Sequence, residues 1–170
     1  MMKISILIAA VCIFFAATSY GQSMNKIVND TTINQEVLID YCDRTGLESG
    51  EFGTYYKLEY EDYAVNDSLV KLISKKLRKY DITIVFGSWC SDSEQQVPRF
   101  YKILDHAKFK DSHLKIIAVN RSKSTMEIDI EDLNIERVPT FIVYKKGKEM
   151  GRIIETPYDT LEEDLWKIVQ

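Results

Sequence analysis

Asp81-Ile82-Thr83-Ile84-Val85-Phe86-Gly87-Ser88-Trp89-Cys90-Ser91-Asp92-Ser93 is the stretch on which the fold turns. Ile82 to Gly87 is a short β-branched run with no polar alternation, the pattern of a strand buried on both faces. Behind it the period changes. From Ser91 to Ala107, Val97, Phe100, Tyr101 and Leu104 recur on one helical face, and Leu114 to Val119 is again a short apolar run. Strand, helix, strand at this length is a βαβ unit, so the two strands should be parallel. Residues 129–135 read as a short helix. Thr140–Tyr144 and Glu149–Ile154 read as two strands joined by Lys145-Lys146-Gly147-Lys148, a hairpin. Leu161, Leu165, Ile168 and Val169 mark a final helix capped by Asp159 or Thr160. The fold class is therefore α/β, βαβ then ββα, with a central mixed sheet and flanking helices.

Upstream the signals are helical. Val37, Leu38 and Tyr41 behind Asn34 predict a helix over 35–45 ending near Gly46. Tyr56, Tyr60 and Tyr63 form an aromatic stripe, and Leu69, Leu72, Ile73 and Leu77 follow Asp67 as a cap; the amphipathic spacing favours core-facing helices over a ligand-binding aromatic box. Residues 35–80 thus read as a helical N-terminal extension to a domain over 81–170, and the polar segment 22–34 as flexible.

The first residues have a different layout. Lys3, the apolar run Ile4–Ala17 and the small residues Ser19 and Gly21 predict a secretory signal peptide over 1–21, cut before Gln22. Val11 before Cys12 argues against a lipoprotein signal, where a small residue is usual. The whole chain of 170 residues carries 22 basic and 26 acidic side chains, a net charge of −4. Loss of residues 1–21 removes Lys3 and Cys12, leaving −5 and two cysteines, Cys42 and Cys90, in a compartment where disulfides persist. An acidic chain offers no basic footprint for nucleic acid, and no internal apolar run approaches a membrane span, so no stable anchor is expected after cleavage. A periplasmic location is expected, ahead of a secreted or lipid-anchored one.

Cys90 stands where a buried strand gives way to a helix. Unpaired N–H groups and the macrodipole favour an anion at that point, and the thiolate is the nucleophilic form of cysteine. The bland reading, a buried inert cysteine, fits poorly beside the polar Ser91, Asp92 and Ser93. Asp92 suits the first helical turn, though its charge opposes a thiolate. His106 and His113 lack neighbours at metal-ligand spacing, so neither a metal nor another cofactor is expected. Asn120-Arg121, at a strand end where α/β proteins place ligands, is a further candidate.

Trp89-Cys90 with Ser93 three residues on resembles the Trp-Cys-x-x-Cys site of the thioredoxin superfamily, and Pro98 falls where that family kinks its active-site helix. Val138-Pro139-Thr140 looks like the family's cis-proline segment, with Gly147 matching the glycine of the next hairpin. The string Trp-Cys-x-Asp-Ser…Val-Pro-Arg-Phe, with Arg152 to Pro157 near the end, resembles exported thioredoxin-like proteins of Bacteroidetes-type bacteria. The resemblance implies a thioredoxin-like fold over 80–170, a cis Pro139 beside Cys90, a Val138 backbone open to an extended substrate segment, and Trp89, Val138, Pro139 and Thr140 as the substrate platform. It also exposes three departures: Ser93 replaces the second cysteine, Ile84 replaces a buried acid, and Glu155 stands near the place of a second glycine.

A lone thiolate can attack a disulfide and hold the mixed disulfide until another thiol resolves it, with Ser93 expected to donate a hydrogen bond to the thiolate. The implied activity is a monothiol thiol–disulfide oxidoreductase or isomerase, with a protein or small-molecule thiol or disulfide as substrate and an external thiol or redox protein as partner. The alternative is a catalytically inactive module binding a peptide or protein by strand addition beside Pro139. Whether Cys42 is a resolving thiol for Cys90 or a packed, independent one is left open, because a bridge needs Cα atoms within roughly 7 Å.

Overall fold

A computed structural model describes residues 23–170, so the expected signal peptide lies outside the described residues. Its centre is a six-stranded mixed sheet in the order β1-β2-β4-β3-β5-β6. β3 (Asp81–Phe86) and β4 (Leu114–Ala118) run parallel, as the βαβ reading requires, with α4 (Ser91–His106) between them. β5 (Thr140–Lys145) and β6 (Lys148–Ile154) form the antiparallel hairpin. The last helix, α5 (Leu161–Val169), starts at Thr160, whose side chain accepts the Glu163 N–H.

The region before β3 departs from expectation. Residues 35–42 are a strand, β2 (Gln35–Cys42), not a helix. Val37, Leu38 and Ile39 are all buried, because β2 lies between the edge strand β1 (Lys26–Asp30) and β4; a short run buried on both faces has no period to betray it. The segment expected to be flexible therefore contains β1, whose polar side chains suit a sheet edge. Asn34, expected as a helix cap, instead takes a left-handed φ of 52° in the β1–β2 turn. Helix starts only after Asp43, whose carboxylate accepts the Gly46 N–H at the head of the one-turn α1 (Arg44–Leu47).

α2 (Gly50–Asp62) and α3 (Asp67–Leu77) follow, the latter capped by Asn66 rather than Asp67. Tyr56 of the aromatic stripe is buried, and Tyr60 and Tyr63 pack at the core's margin. The helix expected at 129–135 shrinks to a single 3-10 turn, Glu131–Leu133, closed by Asn134 at φ 50°.

Alternation along β3 sorts the interior. Ile82, Ile84 and Phe86 point into the larger core with residues of α2, α3, α4 and α5, so these four helices share one face of the sheet. Val85 points the other way, into a smaller cluster with Ile117, Val119, Ile130 and Val138. That second face is covered by the irregular segment 119–139, and it carries the site.

Candidate active site

Cys90 is the N-cap of α4, extended at φ −109°, ψ 122°. Its N–H donates to Gly87 O at 3.0 Å and its carbonyl accepts the Glu94 N–H at 2.9 Å, so the backbone holds the residue across the strand-to-helix turn. The side chain is half-buried against the smaller cluster, and its thiol donates to Val138 O at 3.3 Å. The first turn of α4, which follows directly, carries Asp92 and Glu94.

Trp89 is fixed from two sides. Its Nε1–H donates to Val119 O at 2.8 Å, and its ring lies over Gly87 so closely that a Cβ there would meet the indole at 2.5 Å. Glycine is thus required before the Ser88-Trp89-Cys90 turn, a demand the sequence signalled only by a glycine at a strand's end. Ser88, also buried, accepts the Leu38 N–H and ties this turn to β2.

The Val138–Pro139 peptide bond is cis. Val138 is buried and its carbonyl faces Cys90, while Pro139 O accepts the Glu155 N–H at 2.7 Å. Thr140, buried at the start of β5, donates its hydroxyl proton to Arg137 O. Glu155 holds a left-handed φ of 56°, a conformation that favours glycine, and its carboxylate pairs with Arg137 at 2.7 Å. That ion pair beside the proline was not visible in the sequence, because its partners are 18 residues apart.

Trp89, Cys90, Val138, Pro139 and Thr140 are therefore brought together, and two other candidates are not. Ser93 is fully buried, and the hydrogen bond it makes is as acceptor for the Gly87 N–H at 3.2 Å; none runs to Cys90 among the described residues. Its hydroxyl stabilises the turn instead of the sulfur. Cys42 lies at the end of β2, opposite Ile116 of β4 and so two strand spacings, about 9.5 Å, from β3. It belongs to the larger core with Ile84, on the face of the sheet away from Cys90. Both cysteines are free thiols, and burial pushes Cys42 up to about 12. Ile84, in the place of the family's buried acid, is fully buried among apolar neighbours.

Asn120 and Arg121 enter the site by different routes. The Asn120 carboxamide oxygen accepts N–H groups of Ser122 and Ser124 and the Ser124 hydroxyl, closing a tight loop. Arg121 on that loop stacks its guanidinium over Trp89, 5.3 Å from the ring centroid. His106 and His113 are surface partners of Asp67 and Asp81. Among the described residues no group of three or more His, Cys, Asp or Glu is arranged to hold a metal ion.

The family model described as "Thioredoxin" matches residues 53–164. The chain belongs to the thioredoxin family. Thioredoxin H2 of Arabidopsis thaliana is 30% identical over 95 residues, a match that covers 56% of this chain and 65% of that protein. Among solved structures, a Pseudomonas aeruginosa protein of unknown function superposes with TM-score 0.50 at 14% identity, over 68% of this chain and 80% of its own. Arabidopsis thaliana thioredoxin O2 in its oxidised state superposes with TM-score 0.41 at 16% identity, over 61% of this chain and 90% of that one. The structural likeness concerns the fold.

Proposed function

We propose that this thioredoxin-family chain is an exported thiol–disulfide oxidoreductase of monothiol type, with Cys90 as its nucleophile. The observation that carries the reading is the half-buried Cys90 at the head of a 16-residue helix, its sulfur 3.3 Å from Val138 O, with no second thiol on its side of the sheet among the described residues. The Cys90 thiolate attacks one sulfur of a substrate disulfide. That S–S bond breaks, a Cys90–substrate disulfide forms, and the other sulfur leaves as a thiolate that takes a proton from solvent. An external thiolate then attacks the mixed disulfide: at the substrate sulfur it forms a new disulfide with the substrate and expels the Cys90 thiolate, and at the Cys90 sulfur it expels the substrate as a thiolate, which takes a proton from solvent, and stays disulfide-bonded to Cys90 for a further exchange. Trp89 and the Val138-Pro139-Thr140 segment form the platform on which an extended substrate segment lies.

The test is covalent capture. Mature protein incubated with a peptide disulfide is quenched in acid and weighed intact; the expected product gains one peptide thiol on Cys90, and Cys90→Ala abolishes it. A wild-type protein that gains no mass between pH 6 and pH 9 would overturn the proposal. Export is tested separately, by expression in a Gram-negative host: a periplasmic product beginning at Gln22 is expected, and a cytoplasmic product retaining Met1 would refute it.

A further inference from the structure

Arg121, at the strand end where α/β proteins place ligands, has no role in the mechanism above. Its position is built, not accidental. Asn120 closes the loop through three hydrogen bonds to its carboxamide oxygen, and its own N–H donates to Ser124 O at 3.0 Å. The platform under the guanidinium is equally fixed, since Trp89 is held by Val119 O and by the absent side chain of Gly87. A guanidinium stacked on an aromatic face loses little of its hydrogen-bonding edge, which stays free for a carboxylate. Arg121 makes no ion pair among the described residues, although Asp30 is near enough that the arginine's charge, behind two hydrogen bonds from Thr32, helps hold that carboxyl low.

The remaining charges around Cys90 do not duplicate this group. Arg137 is already paired with Glu155, and Asp92 and Glu94 in the first turn of α4 are acidic. Arg121 is thus, among the described residues, a cation without an ion pair stacked on the indole of the residue next to the nucleophile, in an acidic chain that would otherwise steer basic substrates toward it.

We propose that Arg121 selects the substrate, favouring disulfides that carry a carboxylate next to the reacting sulfur. This rests on Cys90 being the nucleophile and names the class of substrate it captures. The carboxylate can come from an acidic residue flanking a protein cysteine or from a small carboxylated disulfide; both present the same chemistry to the guanidinium.

The test uses symmetric disulfides of the tripeptide acetyl-Xaa-Cys-Xaa-amide with Xaa as Glu, Gln or Lys, and glutathione disulfide as the small-molecule arm. The readout is the second-order rate of Cys90 adduct formation by the mature protein, from intact mass. Wild type is expected to react about two- to fivefold faster with the Glu than with the Gln peptide at low salt, the span of a single exposed ion pair, with the Lys peptide slowest. The preference should fade as ionic strength rises. Arg121→Gln should remove it, bringing the Glu- and Gln-peptide rates together, and Arg121→Glu should reverse the order. A faster glutathione reaction that also depends on Arg121 would assign the site to the small-molecule source, and dependence confined to the Glu peptide would assign it to proteins. Equal rates for all three peptides, or a preference that survives Arg121→Gln, would overturn this inference while leaving Cys90 as nucleophile; no adduct with any probe would overturn the proposed function itself.

Discussion

At the scale of single residues the two thiols have opposite fates because the sheet separates them. Cys90 is half-buried beside the platform, whereas Cys42 is 4% exposed and burial lifts its titration to about 12. At pH 8 an alkylating reagent should therefore label Cys90 alone in the native protein, with Cys42 reacting only after denaturant is added; peptide mapping of the labelled sites reads this directly. Ser93 offers a sharper contrast. Its hydroxyl accepts a buried Gly87 N–H, so Ser93→Ala should cost about 1–3 kcal/mol in urea unfolding by orphaning that donor. A loss of Cys90 reactivity without loss of stability would instead return Ser93 to the role the motif suggested. Gly87→Ala should carry a similar cost, because the new methyl falls 2.5 Å from the indole of Trp89, and overpacking of this kind costs about 1–3 kcal/mol. A shift in tryptophan fluorescence is expected with it.

At the scale of elements, the helical layer is joined by one buried carboxylate. Glu162, 1% exposed in the first turn of α5, accepts the Tyr63 hydroxyl at 2.7 Å and the Asn66 N–H at 3.0 Å, so it fastens the α2–α3 junction to the last helix. Glu162→Ala takes the charged acceptor away from the half-buried Tyr63 hydroxyl and from the Asn66 N–H, and a loss of about 1–3 kcal/mol is expected, measured by the urea midpoint, with Tyr63→Phe recovering part of it. Such a contact spans 99 residues and has no local signature. What was legible in the sequence is what local periodicity encodes: the apolar run of β3, the amphipathic face of α4, the β5–β6 hairpin and the cap at Thr160. The chemistry-bearing Trp89-Cys90 was legible for the same reason, since a strand-to-helix switch is written in adjacent residues. β2 is not legible locally because Val37, Leu38 and Tyr41 fit a helical spacing as well as a buried strand, and only its neighbours β1 and β4 decide between them. The short 3-10 turn at Glu131–Leu133 carries a helix-like pattern because an irregular segment packed on a sheet also buries an apolar residue at intervals, here Ile128, Ile130, Leu133 and Ile135.

For the molecule as a whole, placing the helices on one face of the sheet and the site on the other makes the larger core the source of stability and leaves the chemistry at its margin. Cys42 reports on that core through pH. Its thiolate is disfavoured by burial, so the folded state holds its proton up to about 12 while an unfolded cysteine releases it near about 8.5. Between those values the unfolded state binds fewer protons, and stability must fall as pH rises. The contribution is fully present below pH 8 and should decline by about 2 kcal/mol by pH 10, at about 1.4 kcal/mol per unit. Tyr56 and Tyr63, also raised by burial, act in the same direction but from a higher starting value. Cys42→Ala isolates the thiol: the variant should be less stable than wild type at pH 7 through its lost packing, and the gap should narrow by about 2 kcal/mol from pH 8 to pH 10 in reducing buffer. Urea midpoints across that range measure it, and a gap that stays constant would mean that Cys42 ionises as readily in the folded chain as in the unfolded one.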